Sequence, residues 1–336
     1  MISANIQAIA YYLPEDKLTN DDLNKSFPEW SVAKISNKTG IYNRNIASEN
    51  EYSSDMAIAA AEKLFNENNI DRSTIDFILL CTQSPDYFLP TTACIIQNKL
   101  KIPVTAGALD FNLGCSGYVY GLSLAKGLIY AGIAKNILLI TAETYSKFIH
   151  HKDKSNRTIF GDAAAATLIT KEKSLCSLEK FELGTDGSGA ENLILKNGGL
   201  RNPFTRQQDI EDSDGNYLRN DDFLYMNGSE IFKFTAESVP KMIDNLLAKS
   251  ELKLEEIDLF IFHQANAFML NYIRKKVNIQ EDKFFLFLEN CGNTVSSTIP
   301  IALNEAIKQN RIKPNNKVLL AGFGVGYSWG ATILQF

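Results

Sequence analysis

AEKLFNENNIDRSTIDFILLCTQ, residues 61–83, reads as a helix, a polar turn and a buried strand, and IDNLLAKSELKLEEIDLFIFHQA, residues 243–265, repeats that order. The Ile-Asp pairs at 75–76 and 257–258 set the offset at 182. Further along, IAKNILLITAE (133–143) meets IKPNNKVLLAGFG (312–324) with Ile137 on Val318, an offset of 181. Both halves close on matching strands, AATLI at 165–169 and GATIL at 330–334, where the offset falls to 165. The first half therefore carries extra loop after Ile140, and KFIHHKDKSNR (147–157) supplies it. A period this long is a duplicated domain, since solenoid repeats run to roughly 20–50 residues. Apolar strands alternating with helices imply a layered α/β architecture. The division falls at 1–172 and 173–336. Residues 197–224 lack an apolar period and read as a loop or lid inserted in the second half.

The 336 residues suffice for a substantial core. Against 34 Lys and Arg stand 39 Asp and Glu, a net charge of −5, which argues against nucleic acid or an anionic membrane as the main partner. The first residues lack a cationic, apolar leader, and no apolar run approaches the roughly 20 residues that cross a bilayer. Five cysteines without a CxxC pair fit a reducing compartment, and three histidines leave little for a metal site. A cytoplasmic protein without a metal is expected.

Working outward from the repeat, LDFNLGCSGYVYGLSLAKGLIYAG (109–132) reads as a strand over 109–113, a turn at Gly114, and a helix that Cys115 opens. From Tyr118 to Ala131 the only charge is Lys126, so the helix is expected to be buried nearly all round. Its N-terminal amides then point at Cys115 inside the protein and favour thiolate. Cys81, Cys94, Cys176 and Cys291 read as packing residues. DLFIFHQANAF sets His263 at the C-terminal end of a buried strand, where α/β folds build sites. ENCGNTVSSTIPIALNEAI repeats the strand–turn–helix logic, with Asn293 in the turn, Ser296 opposite Cys115, and Ser297 or Thr298 as helix cap. Gly322, Gly324 and Gly326 make a bare turn that brings backbone amides close to a ligand.

GCSGY around Cys115, HQAN from His263, GNTVSSTIP from Asn293, GFGVGYSWGA, FGDAAAA (160–166) and PTTACIIQ (90–97) together resemble β-ketoacyl-acyl carrier protein synthase III, in order along the whole chain. The resemblance implies the thiolase fold, two duplicated α/β halves in an α-β-α-β-α arrangement, and a homodimer. It implies decarboxylative Claisen condensation of an acyl-CoA with malonyl-acyl carrier protein or malonyl-CoA, through an acyl-cysteine on Cys115. His263 and Asn293 then stabilise the enolate, and the backbone amides of Cys115 and Val325 form the oxyanion hole. Substrate contacts fall to Lys38, Lys154, Asn266, Leu89, Gly228, Phe268 and Gly324. No cofactor is implied beyond coenzyme A as part of the substrate.

Four departures from the family pattern stand out. The tryptophan that stacks on the CoA adenine is Lys34, with Trp30 four residues earlier; the arginine of the DRxxxxxFGD pattern is Lys154. Ala267 and Phe268 stand in place of a carrier-docking arginine, for which Arg274, Lys275 and Lys276 are substitutes. The aromatic residue donated across the dimer is Leu89. Those changes motivate an alternative, acyl transfer to oxygen or nitrogen without condensation. A non-catalytic partner subunit is a third reading, which the intact Cys–His–Asn set argues against.

Overall fold

The computed structural model describes residues 3–206 and 208–336. Nine strands form one continuous ladder: β1 (Asn5–Tyr12), β2 (Phe77–Cys81), β3 (Gly107–Phe111), β4 (Asn136–Glu143), β5 (Ala163–Thr170), β6 (Cys176–Thr185), β7 (Leu259–Phe262), β8 (Lys317–Gly324) and β9 (Ser328–Gln335), in the order β7-β8-β9-β6-β1-β5-β4-β2-β3. Two residue pairs between β1 and β6, Asn5 with Ser177 and Ile6 with Cys176, join the halves.

The duplication read from the text is visible strand by strand. β2 runs parallel to β4, which runs antiparallel to β5; β7 runs parallel to β8, which runs antiparallel to β9. A bridge from Phe284 to Phe260 stands where β3 stands in the first half. Helices follow the same plan: α1 (Ser53–Asn68), α2 (Thr92–Leu100) and α3 (Gly117–Tyr130), then α4 (Gly228–Ser250), α5 (Ala267–Lys276) and α6 (Thr298–Lys308). The boundary drawn at 172/173 lies in the connection between β5 and β6.

Alternation along the strands builds the layers, because successive side chains face opposite sides of a sheet. Leu79, Ile137 and Leu139 from one half, and Leu259, Ile261, Val318 and Leu320 from the other, pack with Val119 and Leu122 of α3 and Ile299 and Leu303 of α6. Their neighbours Ile78, Leu80 and Ile140 turn outward to α1 and α2. Phe260, Phe262 and Leu319 turn outward to α4 and α5. The result is helix, sheet, helix, sheet, helix, with α3 and α6 in the middle.

Several local expectations need correction. The strand before the nucleophile runs 107–111, and α3 starts at Gly117 with Ser116 as cap, so Cys115 belongs to the turn. Burial of α3 is confined to one side and its first turns; Leu124, Gly127 and Tyr130 are exposed. Residues 197–224 contain short strands at Ile210–Glu211 and Tyr217–Arg219, and their end pairs Leu224–Met226 with Leu193–Leu195. This insertion is fastened to the other extra segment: His150 stacks on Tyr217 at 4.5 Å, meets Phe223 edge-on at 4.6 Å, and lies 3.5 Å from Asp209. Among the described residues no helix is long and apolar enough to cross a membrane.

Candidate active site

Cys115 lies between the end of β3 and the first turn of α3, pressed against β8. A Cβ added to Gly322 would come 2.7 Å from the Cys115 carbonyl oxygen, and one added to Gly324 would come 2.7 Å from Sγ. Neither position admits a side chain without displacing the nucleophile, which is why β8 ends in glycines here. Both glycines lie in the strand, and the turn they were expected to form begins after Gly324.

Burial pushes the Cys115 thiol up to about 12, against the backbone N–H groups of Val325 and Cys115 itself, which pull it down. The expectation of a resting thiolate is therefore corrected. Exclusion of water outweighs the amides, and the sulfur keeps its proton until a base takes it.

His263 follows β7 directly and extends the parallel ladder, donating its N–H to the Ala321 carbonyl at 2.7 Å. The ring is buried and pushed down to about 3 by desolvation, with the Val295 backbone opposing, so it is neutral. Its Nδ1 lies 2.8 Å from Thr298 Oγ1 and its Nε2 lies 3.4 Å from Asn293 Nδ2. Asn293 is pinned by its main chain to the first half: its N–H donates to Ile159 at 2.9 Å and its carbonyl accepts from Gly161 at 3.0 Å. Its Oδ1 accepts the Val295 N–H at 2.9 Å, which turns the amide nitrogen towards His263.

Ser297 or Thr298 was read as the helix cap. Ser297 holds that position without a side-chain cap bond, and the Thr298 hydroxyl donates to the Val295 carbonyl at 2.9 Å. The sequence pattern offered no signal for this role, because the contact depends on how β7 and α6 meet. Glu143 was also missed. It ends β4 fully buried, accepts hydrogen bonds from Ser296 Oγ at 2.8 Å and the Gln83 N–H at 3.0 Å, and is pushed up to about 8 by burial.

A cavity of about 640 Å³ has Cys115, His263, Asn293, Phe323 and Gly324 among its lining residues and also touches Trp30 and Lys38. Of the expected substrate contacts, Lys38, Asn266, Gly228, Phe268 and Gly324 are on its wall. Lys154 and Leu89 are not. Lys154 is ion-paired with Glu29, and Leu89 is 85% exposed on a tip with Tyr87 and Phe88. Asn266 spends its side-chain oxygen capping α5 through the Met269 N–H at 2.9 Å. An aromatic ring stands at the cavity although position 34 is lysine: Trp30, with the ammonium groups of Lys34 and Lys38 each 5.2 Å from its centroid. Among the described residues no three His, Cys, Asp or Glu side chains gather as metal ligands.

Comparison with known proteins places this geometry. Residues 109–187 match the family model described as 3-oxoacyl-[acyl-carrier-protein] synthase III, and residues 247–336 match that of its C-terminal part. A β-ketoacyl-[acyl-carrier-protein] synthase III of Clostridium perfringens is 36% identical over 335 residues, covering 100% of both chains. A Staphylococcus epidermidis β-ketoacyl-[acyl-carrier-protein] synthase III 2 is 37% identical, over 99% of this chain and 98% of that one. A crystal structure of a 3-oxoacyl-(acyl-carrier-protein) synthase III superposes with a TM-score of 0.96 at 50% identity, covering 99% of this chain and 100% of that one. The Aquifex aeolicus enzyme of the same name gives 0.86 at 34%, with the same coverage.

Proposed function

Because the chain belongs to the 3-oxoacyl-[acyl-carrier-protein] synthase III family, we propose that it condenses an acyl-CoA starter with a malonyl thioester through an acyl group carried on Cys115. The observation that carries this reading is the convergence of Cys115, His263 and Asn293, drawn from both halves, on one cavity with a glycine-cleared approach to the sulfur.

In the first half-reaction His263 Nε2 takes the thiol proton as Sγ attacks the thioester carbon. The tetrahedral oxygen sits between the amides of Cys115 and Val325, where losing one donor raises a barrier by about 2.7–4 kcal/mol. The carbon–sulfur bond to CoA breaks, and the proton passes from His263 to the departing sulfur. In the second, the malonyl carboxylate leaves as CO₂ and its bonding pair forms an enolate, whose oxygen is held by Asn293 Nδ2 and protonated His263. The enolate carbon bonds to the acyl carbon, the bond to Cys115 breaks, and the freed sulfur takes up a proton. Transfer to an alcohol or amine without condensation is not favoured: it would make no use of an amide fixed beside the imidazole.

The extender is proposed to ride on acyl carrier protein, as the relatives' names state for them. Arg274 is ion-paired with Glu281 at 3.3 Å, which leaves Lys275 and Lys276 as the exposed cations in the last turn of α5. A homodimer is the proposed assembly, since β3 is a free sheet edge and Tyr87, Phe88 and Leu89 are 62%, 75% and 85% exposed.

Incubation with a panel of acyl-CoAs, read by intact mass, should show one acyl adduct on the wild type and none on Cys115→Ala. Asn293→Ala should acylate yet release no CO₂ from labelled malonyl thioester. An acyl adduct on Cys115→Ala would sink the assignment.

A further inference from the structure

We infer that Thr298 is a positioning residue that fixes the tautomer of His263, holding the ring proton on Nδ1 and leaving Nε2 as a bare acceptor towards the cavity. The inference rests on the roles given to Cys115 and His263 above, and it is argued from both ends of the ring.

A hydroxyl beside an imidazole is ambiguous, because it can give or take a proton. Here the ambiguity is removed. The Thr298 proton is committed to the Val295 carbonyl at 2.9 Å, a group that only accepts. Oγ1 therefore presents a lone pair to Nδ1 at 2.8 Å, and that nitrogen must carry hydrogen. At the far end, the Val295 N–H occupies Asn293 Oδ1 at 2.9 Å, so the amide faces Nε2 with its NH₂ group at 3.4 Å. Two donors cannot face one another, so Nε2 has a lone pair. The 2.8 Å contact at Nδ1 is the stronger hold, and the longer one at Nε2 agrees with it without fixing the ring by itself.

Both ends are tied to one residue. Val295 has φ of 55°, the left-handed region, which a β-branched residue adopts only when its surroundings enforce it. In that conformation a single residue offers its N–H to Asn293 and its C=O to Thr298. The strain is placed where it orients both partners of the nucleophile.

The consequence is a restricted proton cycle. Nε2 accepts the Cys115 proton without ring rotation and returns it to the CoA sulfur. To donate to the enolate oxygen it must be imidazolium, taking up the proton that the overall condensation consumes from solvent, with Nδ1–H still on Thr298. The neutral Nε2–H ring takes no part.

The test is ¹⁵N NMR of histidine-labelled enzyme. The chain has three histidines, so the His263 signals are identified by their loss in His263→Ala. The expected wild-type spectrum shows protonated Nδ1 and unprotonated Nε2. Thr298→Val keeps the shape and removes the hydroxyl; it should shift the ring towards Nε2–H and slow Cys115 acylation by about 10–100-fold, the loss seen when a metal-bound histidine is deprived of its outer hydrogen-bond partner. Thr298→Ser should restore both tautomer and rate. A wild-type ring protonated on Nε2, or a Thr298→Val enzyme with unchanged tautomer and acylation rate, overturns the inference. If the ring is protonated on Nδ1 but wild-type enzyme never acylates, the functional reading fails and the hold of Thr298 on the ring stands.

Discussion

The entrance to α3 and the entrance to α6 are one piece of structure used twice, with opposite fillings. At the offsets of 181 and 182, Cys115 corresponds to Ser296, Gly324 to Glu143, His263 to Cys81, and Thr298 to Gly117. Where Gly324 stands clear of the nucleophile, Glu143 projects a carboxyl that accepts from Ser296. Where a ring from β7 meets the Thr298 hydroxyl, the small Cys81 at the end of β2 packs on bare Gly117, whose added Cβ would lie 2.2 Å from Sγ. One entrance is hollow and opens on the cavity; the other is filled and sealed. The backbone needed for a site is therefore present twice, and the side chain at the end of the central strand decides which copy can hold substrate.

The largest effect should come from erasing that difference at the working copy. Gly324→Ala places a methyl 2.7 Å from Sγ, so the sulfur must move. A displacement near 1 Å is enough to lower a rate by about 100-fold. Acylation followed by intact mass should fall at least that far, while circular dichroism stays native. Near-normal acylation would break the comparison at its centre.

A smaller effect is expected from the filled copy. Glu143 is pushed up to about 8 from 4.5 by burial, with no cation facing it. The folded state thus holds a proton that the unfolded state gives up above 4.5. The stability associated with this group is complete below about 4.5 and is lost as pH rises towards 8. Glu143→Gln carries no such proton. The wild type should therefore lose ground to the variant between pH 5 and 8, by at most about 1.4 kcal/mol per pH unit in urea denaturation. A flat difference would mean that Ser296, Ser84 and the Gln83 amide together outweigh burial and keep the group ionised.

These correspondences mark how far the text of the chain could be read. The duplication and its offsets were legible because apolar strands keep their spacing, and Cys115, His263 and Asn293 were legible because the first and last stand in the turn before a helix and His263 stands at a strand's end. The match of Glu143 with Gly324 was not, although the same offset pairs them: a carboxylate and a hydrogen atom share no wording, and only the register of β4 and β8 shows that they occupy equivalent places. Thr298 was read only by its local role, as one of two candidate caps, when its partner lay 35 residues away, just past the end of β7. The short strands in 197–224 were hidden for another reason: two or three residues are too few to show alternation. Lys154 and Leu89 were assigned by resemblance, and in the single chain neither lines the cavity. Glu29 engages the first, and the second points to solvent in the single chain.

The last way to sharpen the comparison acts on packing alone, at the pair that seals the silent copy. Gly117→Ala would force a methyl to 2.2 Å from the buried Cys81 sulfur, itself held by a hydrogen bond to the Leu113 carbonyl at 2.9 Å. Overpacking of this kind costs about 1–3 kcal/mol. If the contact with sulfur is the whole cause, Cys81→Ala should relieve it, and the double variant should be more stable than the two single losses added together, with a coupling of about 0.5–3 kcal/mol. At the working copy the equivalent position already carries a side chain, Thr298, and tolerates it because the facing residue is a ring set back far enough to form a 2.8 Å hydrogen bond. Strict additivity at 117 and 81 would mean that the glycine is required by the helix entrance itself. The likeness of the two copies would then end at the backbone before reaching this pair.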